Sequence, residues 1–352
     1  MTRKKRNFNL SGLLPWAKSA AKRRLSVLFT RQTGKPSAKW QGYLSHYERW
    51  LGQFSEQPIR LLEIGVQGGG SLEIWAEHFR KAEVIVGCDI DPVCAELRYA
   101  DSRIKVVTGN INEIATIGQI DAISPAWDVI IDDGSHHSRD IIQSFLRLFP
   151  RLSEDGVYLI EDLHCSYWGE YGGGLYHPQS AISFFKKVID VVNQPAWGID
   201  VEDKEFWAEF APLIKNVPAE LISQSLRDIY RIEFADSMCM IQKRAAAQNG
   251  TGVLLLSGQQ ACDNRSPHHY TATELAAPDQ SDNILSQTAV VKSNAEQQLL
   301  KATEEIDQLK KENLRLQTQF YESTKKYYDA SVKIQALEQK LAESTPHCEQ
   351  QP

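Results

Sequence analysis

Two short acidic clusters lie 28 residues apart in this chain, and each closes a strongly apolar run. The first, WDVIIDDGSHH, carries Asp132, Asp133 and His136; the second, GVYLIEDLH, carries Glu161, Asp162 and His164. Acids at the ends of two neighbouring buried strands converge on one cleft. Three hard oxygen donors gathered there from these acids would suit Mg2+ or a similar cation. Two adjacent carboxylates repel strongly unless a cation stands between them, so the Glu161–Asp162 pair itself argues for a metal. His136, three residues beyond one ligand, suits a general base, because imidazole exchanges its proton near neutral pH.

These side chains need a scaffold that brings strand ends together. Strand-like runs recur at Arg60–Ile64, Val84–Asp89, Lys105–Thr108, Asp128–Asp132 and Val157–Ile160, with helical stretches such as Arg139–Phe149 between them. Alternation of this kind, with continuously apolar strands, predicts an α/β fold: a doubly wound, mostly parallel seven-stranded sheet covered on both faces. IYRIEFADSMCMIQK alternates on both sides of Ala235-Asp236-Ser237 and reads as a C-terminal antiparallel hairpin. The first strand runs into Glu63-Ile64-Gly65-Val66-Gln67-Gly68-Gly69-Gly70, with Ser71 expected to cap the next helix. Glycines let a backbone approach a ligand closely. Gln67 breaks the G-x-G-x-x-G pattern of dinucleotide binding. The acid two residues ahead of Gly65 points instead to a ligand with an ammonium group. Asp89, closing the second strand, can accept both hydroxyls of a ribose.

Charge and composition divide the chain. Residues 1–40 hold eleven Lys or Arg and no Asp or Glu, so the net charge of −6 leaves −17 on the remainder. A basic arm on an acidic body is drawn to anionic surfaces, and Leu13, Leu14, Trp16, Leu25, Leu28 and Phe29 suit a membrane surface; no specific nucleic-acid partner is indicated. No apolar run approaches the ~20 residues of a membrane span. Six cysteines without CxxC spacing argue against zinc and a disulfide framework and for a reducing, cytoplasmic setting. The expected organisation is a basic arm over 1–40, one α/β domain over 41–244, a disordered linker over 245–294, a coiled coil over 295–343 and a tail over 344–352. The coiled coil rests on a heptad with Leu299, Ile306, Asn313, Phe320, Tyr327, Ile334 and Leu341 at a, and Ala302, Leu309, Leu316, Ser323, Ala330 and Leu337 at d. It predicts a homo-oligomer, with Asn313 favouring two strands.

LLEIGVQGGGSLEIW, GCDIDP, DVIIDDGSHH, FPRLSEDGVYLIEDLHCSYW and the following EYGGG make residues 38–244 resemble the class I S-adenosylmethionine-dependent methyltransferases. Within them, the metal-dependent sugar O-methyltransferases of macrolide pathways are the nearest in pattern. The resemblance implies that Glu63, Gly65 and Gly68 hold the methionine end of the cofactor. It places Asp89 on the ribose and Asn110, Ile111 and Asn112 beside the adenine, with Asn110 standing where the family usually carries an acid. It implies Asp133, Glu161 and Asp162 as Mg2+ ligands and His136 as the catalytic histidine. His137 would start a helix, and His164, Tyr167, Trp168 and Gly172–Gly174 would wall the acceptor. The expected activity is transfer of a methyl group from S-adenosyl-L-methionine to a saccharide hydroxyl of a glycoside, glycolipid or polysaccharide. The alternatives are a phenolic or catechol acceptor, or a non-catalytic coiled-coil scaffold that keeps the cofactor fold.

Overall fold

The computed structural model describes residues 24–255, 257, 274–283, 286 and 288–344. Residues 1–23 of the basic arm, part of the expected linker and all but the first residue of the expected tail lie outside the described residues. The chain divides into two compact units, 1–278 and 279–352.

The first unit is built on a seven-stranded sheet. Its strands are β1 (Arg60–Ile64), β2 (Val84–Asp89), β3 (Ile104–Thr108), β4 (Trp127–Asp132), β5 (Leu152–Ile160), β6 (Ile229–Ala235) and β7 (Met238–Lys243). They lie in the order β3-β2-β1-β4-β5-β7-β6. The first five pair in parallel; β7 is antiparallel to β5 and to β6. The expected fold and its terminal hairpin are therefore present, with Ser237 at φ 62° in the turn.

Side chains alternate between the two faces, as the strand period of two demands. Leu62, Ile64, Ile130, Tyr158 and Ile160 join one core, under Phe145 and Phe149 of the segment following β4 and Phe184 and Phe185 further on. Leu61, Ile85, Val129, Ile131 and Leu159 join the other, under Leu25, Tyr47, Trp50 and Trp75. Because neither face meets water, the parallel strands read as unbroken apolar runs in the sequence. The strand order reverses direction between β1 and β4. In an open α/β sheet the crevice at the carboxyl ends beside such a reversal is where ligands bind.

Two expectations change. Ser71 does not cap its helix: the helix Gly70–His78 starts after Gly69, which sits at φ 79°. The Ser71 hydroxyl instead donates to Glu63 Oε2 at 2.6 Å. The second change concerns the arm, whose last third belongs to the domain rather than preceding it. The helix Leu25–Arg31 buries Leu25 and Leu28 in the core. Arg24 pairs with Glu48 at 3.5 Å, Arg31 with Glu77, and Lys35 with Glu73 at 3.1 Å. Leu25 and Leu28, two of the six apolar residues read as suiting a membrane surface, are here packing residues, and neighbouring acids of the domain neutralise the charges around them, while Leu13, Leu14 and Trp16 lie outside the described residues.

The second unit carries one long helix, Thr288–Ser344. It includes the heptad segment and starts seven residues before it. Ile306, Leu309, Leu316, Phe320, Tyr327, Ile334 and Leu337 are all exposed along it. Among the described residues no helix is long and apolar enough to cross a membrane.

Candidate active site

The backbone continues its ladder one residue past each strand end. The Gly65 N–H donates to the Cys88 carbonyl, that of Asp133 to Ile64, and that of Glu161 to Asp132. Gly65, Asp133 and Glu161 are thus held side by side along the carboxyl edge of β1, β4 and β5. In front of them opens a cavity of about 700 Å³. Gly65, Asp89, Asn110, Ile111, Asn112, Asp133, His136, Glu161 and Asp162 all line it.

Asp132 does not share the acidic role of its neighbour. It is buried in the cavity wall, where it accepts from Ser144 Oγ at 2.5 Å and Tyr158 at 2.8 Å. Asp133, His136 and Asp162 converge instead. His136 Nε2 lies 3.9 Å from Asp133 Oδ1 and 3.7 Å from Asp162 Oδ2. One donor atom from each of these three falls within 4.8 Å of the others; Glu161 stands outside that group. His136 at φ 57° and Asp162 at φ 53° adopt left-handed backbone that non-glycine residues rarely take. Such conformations cost about 1–3 kcal/mol each and persist where the surroundings over-determine them. His137 takes the N-cap position of the helix Ser138–Leu148, as expected.

Lys39 is the resident that sequence reasoning missed. Its ammonium lies 2.5 Å from both Asp133 Oδ2 and Glu161 Oε1 and 3.5 Å from Glu63 Oε1, with the side chain 2% exposed. Tyr47 donates its hydroxyl to the same Glu161 oxygen. Burial alone would pull the lysine down, but Glu161, Asp133 and Glu63 around it hold it well above the ordinary lysine range, so it stays charged. Burial pushes Glu161 up, against the pull of Lys39. The repulsion among strand-end acids did announce a cation. Nothing in the local sequence distinguished a metal ion from a lysine far upstream.

The nucleotide side is built from backbone. Asp89 Oδ2 accepts from the N–H groups of Val66 and Gln67, each at 2.8 Å, and Oδ1 accepts from Asp91 at 2.9 Å. Burial raises this carboxyl, yet the Asp91, Gln67 and Val66 N–H groups together hold it below the usual carboxylate range. Asp89 therefore fixes the glycine loop while facing the cavity. Asn112 Oδ1 is buried and lacks a hydrogen-bond partner. A buried acceptor without a partner is costly, and a ligand N–H would satisfy it.

Two expected ligand residues are placed differently. Glu63 is fully buried and does not line the cavity; its Oε1 has no hydrogen-bond partner and faces Lys39. Gly68 packs against the N-terminal segment, where an added Cβ would come within 2.7 Å of Pro36 Cγ. Gly65 is more tightly constrained. It sits at φ 82°, and a Cβ there would lie 2.1 Å from the Asp133 carbonyl oxygen. Gly65→Ala is expected to cost at least about 1–3 kcal/mol from backbone strain alone. That would lower the thermal midpoint by several degrees, at about 2–4 °C per kcal/mol, as read by calorimetry.

An aromatic rim borders the acidic centre. Trp40 donates its ring N–H to Asp162 Oδ1 at 3.1 Å and is largely exposed. Trp168 stacks edge-on with His164, and Tyr171 approaches both His136 and His137. His164 is not among the residues lining the cavity; its Nδ1 lies 2.5 Å from Ser237 Oγ and 3.8 Å from Asp162 Oδ1.

Comparison with known proteins gives the site a context. Residues 62–163, which span β1 to the acid pair after β5, match a family model described as a methyltransferase domain. That segment is similar to a methyltransferase domain. Over 225 residues the chain is 29% identical to the 8-demethyl-8-alpha-L-rhamnosyl tetracenomycin-C 2'-O-methyltransferase of Streptomyces olivaceus, covering 61% of this chain and 54% of that protein. It is 33% identical over 162 residues to demethylmacrocin O-methyltransferase of Streptomyces fradiae, covering 44% and 40%. The chain also superposes on the MycE methyltransferase of the mycinamycin pathway, solved in complex with Mg and SAH. That match has a TM-score of 0.52, 25% identity, and coverage of 65% of this chain and 56% of that one. The chain spans about half the length of the curated relatives it matches.

Proposed function

We propose that the chain is an S-adenosylmethionine-dependent, Mg2+-assisted O-methyltransferase whose acceptor is a saccharide hydroxyl. The observation that carries this reading is the convergence of His136 with Asp133 and Asp162 on the same cavity that Asp89 and Gly65 border.

The residues fit both groups. A cavity of about 700 Å³ has the size of a nucleotide-type ligand site. Asp89 stands at the second strand end for a ribose, and the unpartnered Asn112 Oδ1 suits an exocyclic amine. Two carboxylates, Asp133 and Asp162, at the mouth of the cavity suit Mg2+, which is commonly held by one or two carboxylates with waters and substrate oxygens completing its shell. When bound, the cofactor supplies an electrophilic methyl group and the cation makes an acceptor hydroxyl more acidic.

The chain's own residues do the rest. His136 Nε2, facing the cavity from between the two acids, accepts the hydroxyl proton. Asp133 and Asp162 then stabilise the charged imidazole by proximity. The positive φ of His136 and Asp162 aims both side chains at one point, so little reorganisation remains at the moment of transfer. The exposed rings of Trp40 and Trp168, with the half-buried Tyr171 beside Trp168, offer flat faces on which a sugar ring can lie. Relatives named for methylation of rhamnosyl, olivosyl and mycinamicin sugars favour a saccharide acceptor over a phenol. Methyl-labelled cofactor, Mg2+ and a panel of deoxysugar glycosides and catechols provide the test. Label on a sugar hydroxyl is expected; label confined to catechols, or none anywhere, overturns the reading.

The helix Thr288–Ser344 completes the proposal as the dimer-forming element of a homo-oligomer. In a parallel pair, Glu305 faces Lys310 and Lys333 faces Glu338 across the seam, and no flanking pair sets like charges opposite each other. Asn313 at an a position favours two strands. Leu309→Glu with Leu316→Glu is expected to halve the mass seen by light scattering while leaving the circular dichroism of the sheet domain in place. The seven basic residues of 1–23, a stretch with no Asp or Glu, would favour a peripheral contact with an anionic membrane surface from the cytoplasmic side.

A further inference from the structure

We propose that Lys39 is the resident counter-ion of the acidic centre, engaging Glu161 and withdrawing it from the divalent-ion site, so that Asp133 and Asp162, beside His136, hold the ion. The proposal rests on the reading that this centre takes a divalent cation.

Three observations carry it. The first is occupancy of oxygen atoms. Lys39 Nζ lies 2.5 Å from Glu161 Oε1, and Tyr47 donates to that same oxygen. Mg2+ binds carboxylate oxygens at about 2.1 Å, so an ion on Glu161 Oε1 would meet an ammonium already seated there. The second is convergence. Asp133 turns Oδ2 toward Lys39 and leaves Oδ1 on the His136 side, where Asp162 Oδ2 also points. The compact donor group is Asp133, His136 and Asp162, without Glu161. The third is the way Lys39 is delivered. Gly70 N–H donates to the Pro36 carbonyl at 3.0 Å, Lys35 N–H donates to Glu73 at 3.0 Å, and Trp40 is tied to Asp162. The extended segment is anchored on both sides of Lys39, so the ammonium is a fixed part of the site.

The physical logic is compensation. Glu63 and Glu161 are buried acids, and an uncompensated buried charge is strongly destabilising. A divalent ion could compensate them only while bound. A lysine does so permanently and leaves the exchangeable ion to the half-exposed pair at the mouth.

The test is Mn2+ titration of the full chain by calorimetry, without cofactor, for the wild type, Glu161→Gln, Asp162→Asn, Lys39→Met and the double variant Lys39→Met/Glu161→Gln. One Mn2+ is expected in the wild type, with affinity unchanged within about twofold in Glu161→Gln and reduced about tenfold or more in Asp162→Asn. Lys39→Met is expected to bind Mn2+ about tenfold tighter, and Glu161→Gln is expected to reverse that gain. A tenfold loss in Glu161→Gln alone, or no tightening in a folded Lys39→Met, overturns the assignment while leaving the divalent-ion reading intact. If Lys39→Met fails to fold, the comparison of wild type with Glu161→Gln decides by itself. Absence of Mn2+ binding in every protein overturns the divalent-ion reading and this assignment with it.

Discussion

His136→Ala will slow methyl transfer by about 10²–10⁴-fold, the range that a positioned general base contributes. The ring sits 3.9 Å and 3.7 Å from two carboxylate oxygens on the cavity wall, with Tyr171 as its ring neighbour. Alanine would inherit the same left-handed backbone, so the substitution removes the imidazole without relieving or adding strain. Cofactor affinity is expected to hold, because Asp89, Gly65 and Asn112 lie on other strand ends. Single-turnover rates with labelled cofactor, set beside a calorimetric dissociation constant, separate the two quantities. His137→Ala serves as the comparison: His137 takes a helix N-cap position, and its loss should change turnover far less. An undiminished rate in His136→Ala with a large loss in His137→Ala would transfer the base to the neighbour.

Asp133→Ala is the second large effect. A bound cation contributes several kcal/mol of charge stabilisation to reactions of this class, which corresponds to a loss of about 10²–10⁴-fold. Asp133 is the one acid that faces both centres, with Oδ2 on Lys39 and Oδ1 on the His136 side. Its backbone, which donates to the Ile64 carbonyl, does not depend on the side chain. The fold should therefore survive, and Lys39 should remain paired with Glu161. The same loss should appear in wild type with excess EDTA and be restored by Mg2+, whereas Asp133→Ala should respond to neither. Full turnover of the wild type in EDTA would remove the metal from the reaction.

The Gly65→Ala and coiled-coil tests address different links in the chain of causes. Gly65 acts through backbone proximity, since its missing side chain is what lets β1 and β4 close to one another at the cavity floor. The heptad acts through association alone.

Much of the site was legible because strand ends announce themselves. An apolar run that stops at Asp133 or Glu161 fixes where each acid emerges, and parallel pairing of β1, β4 and β5 then makes those emergences neighbours. The glycine loop and Asp89 were legible for the same reason. Ser71 was misread because a serine ahead of an apolar helix looks like a cap, and only the packed structure shows Gly69 taking that place and Ser71 turning to Glu63. Lys35 and Lys39 were misread because charge was averaged over forty residues, which hides where each side chain ends up.

The sequence by itself determined the types of chemistry available: oxygen donors, an imidazole and a glycine loop, each at the end of a segment whose periodicity makes it a strand. It also determined the long helix and its apolar seam, because both depend on neighbours within a few turns. Only the tertiary structure decided which cation the buried acids meet. Lys39 reaches Asp133 across 94 residues of chain and Glu161 across 122. No local pattern encodes such a meeting; it follows from how the first helices pack on the sheet and where that packing leaves one ammonium group. The physical reason is that periodicity reports which face a residue takes, whereas the partner of a buried charge is set by everything that folds around it.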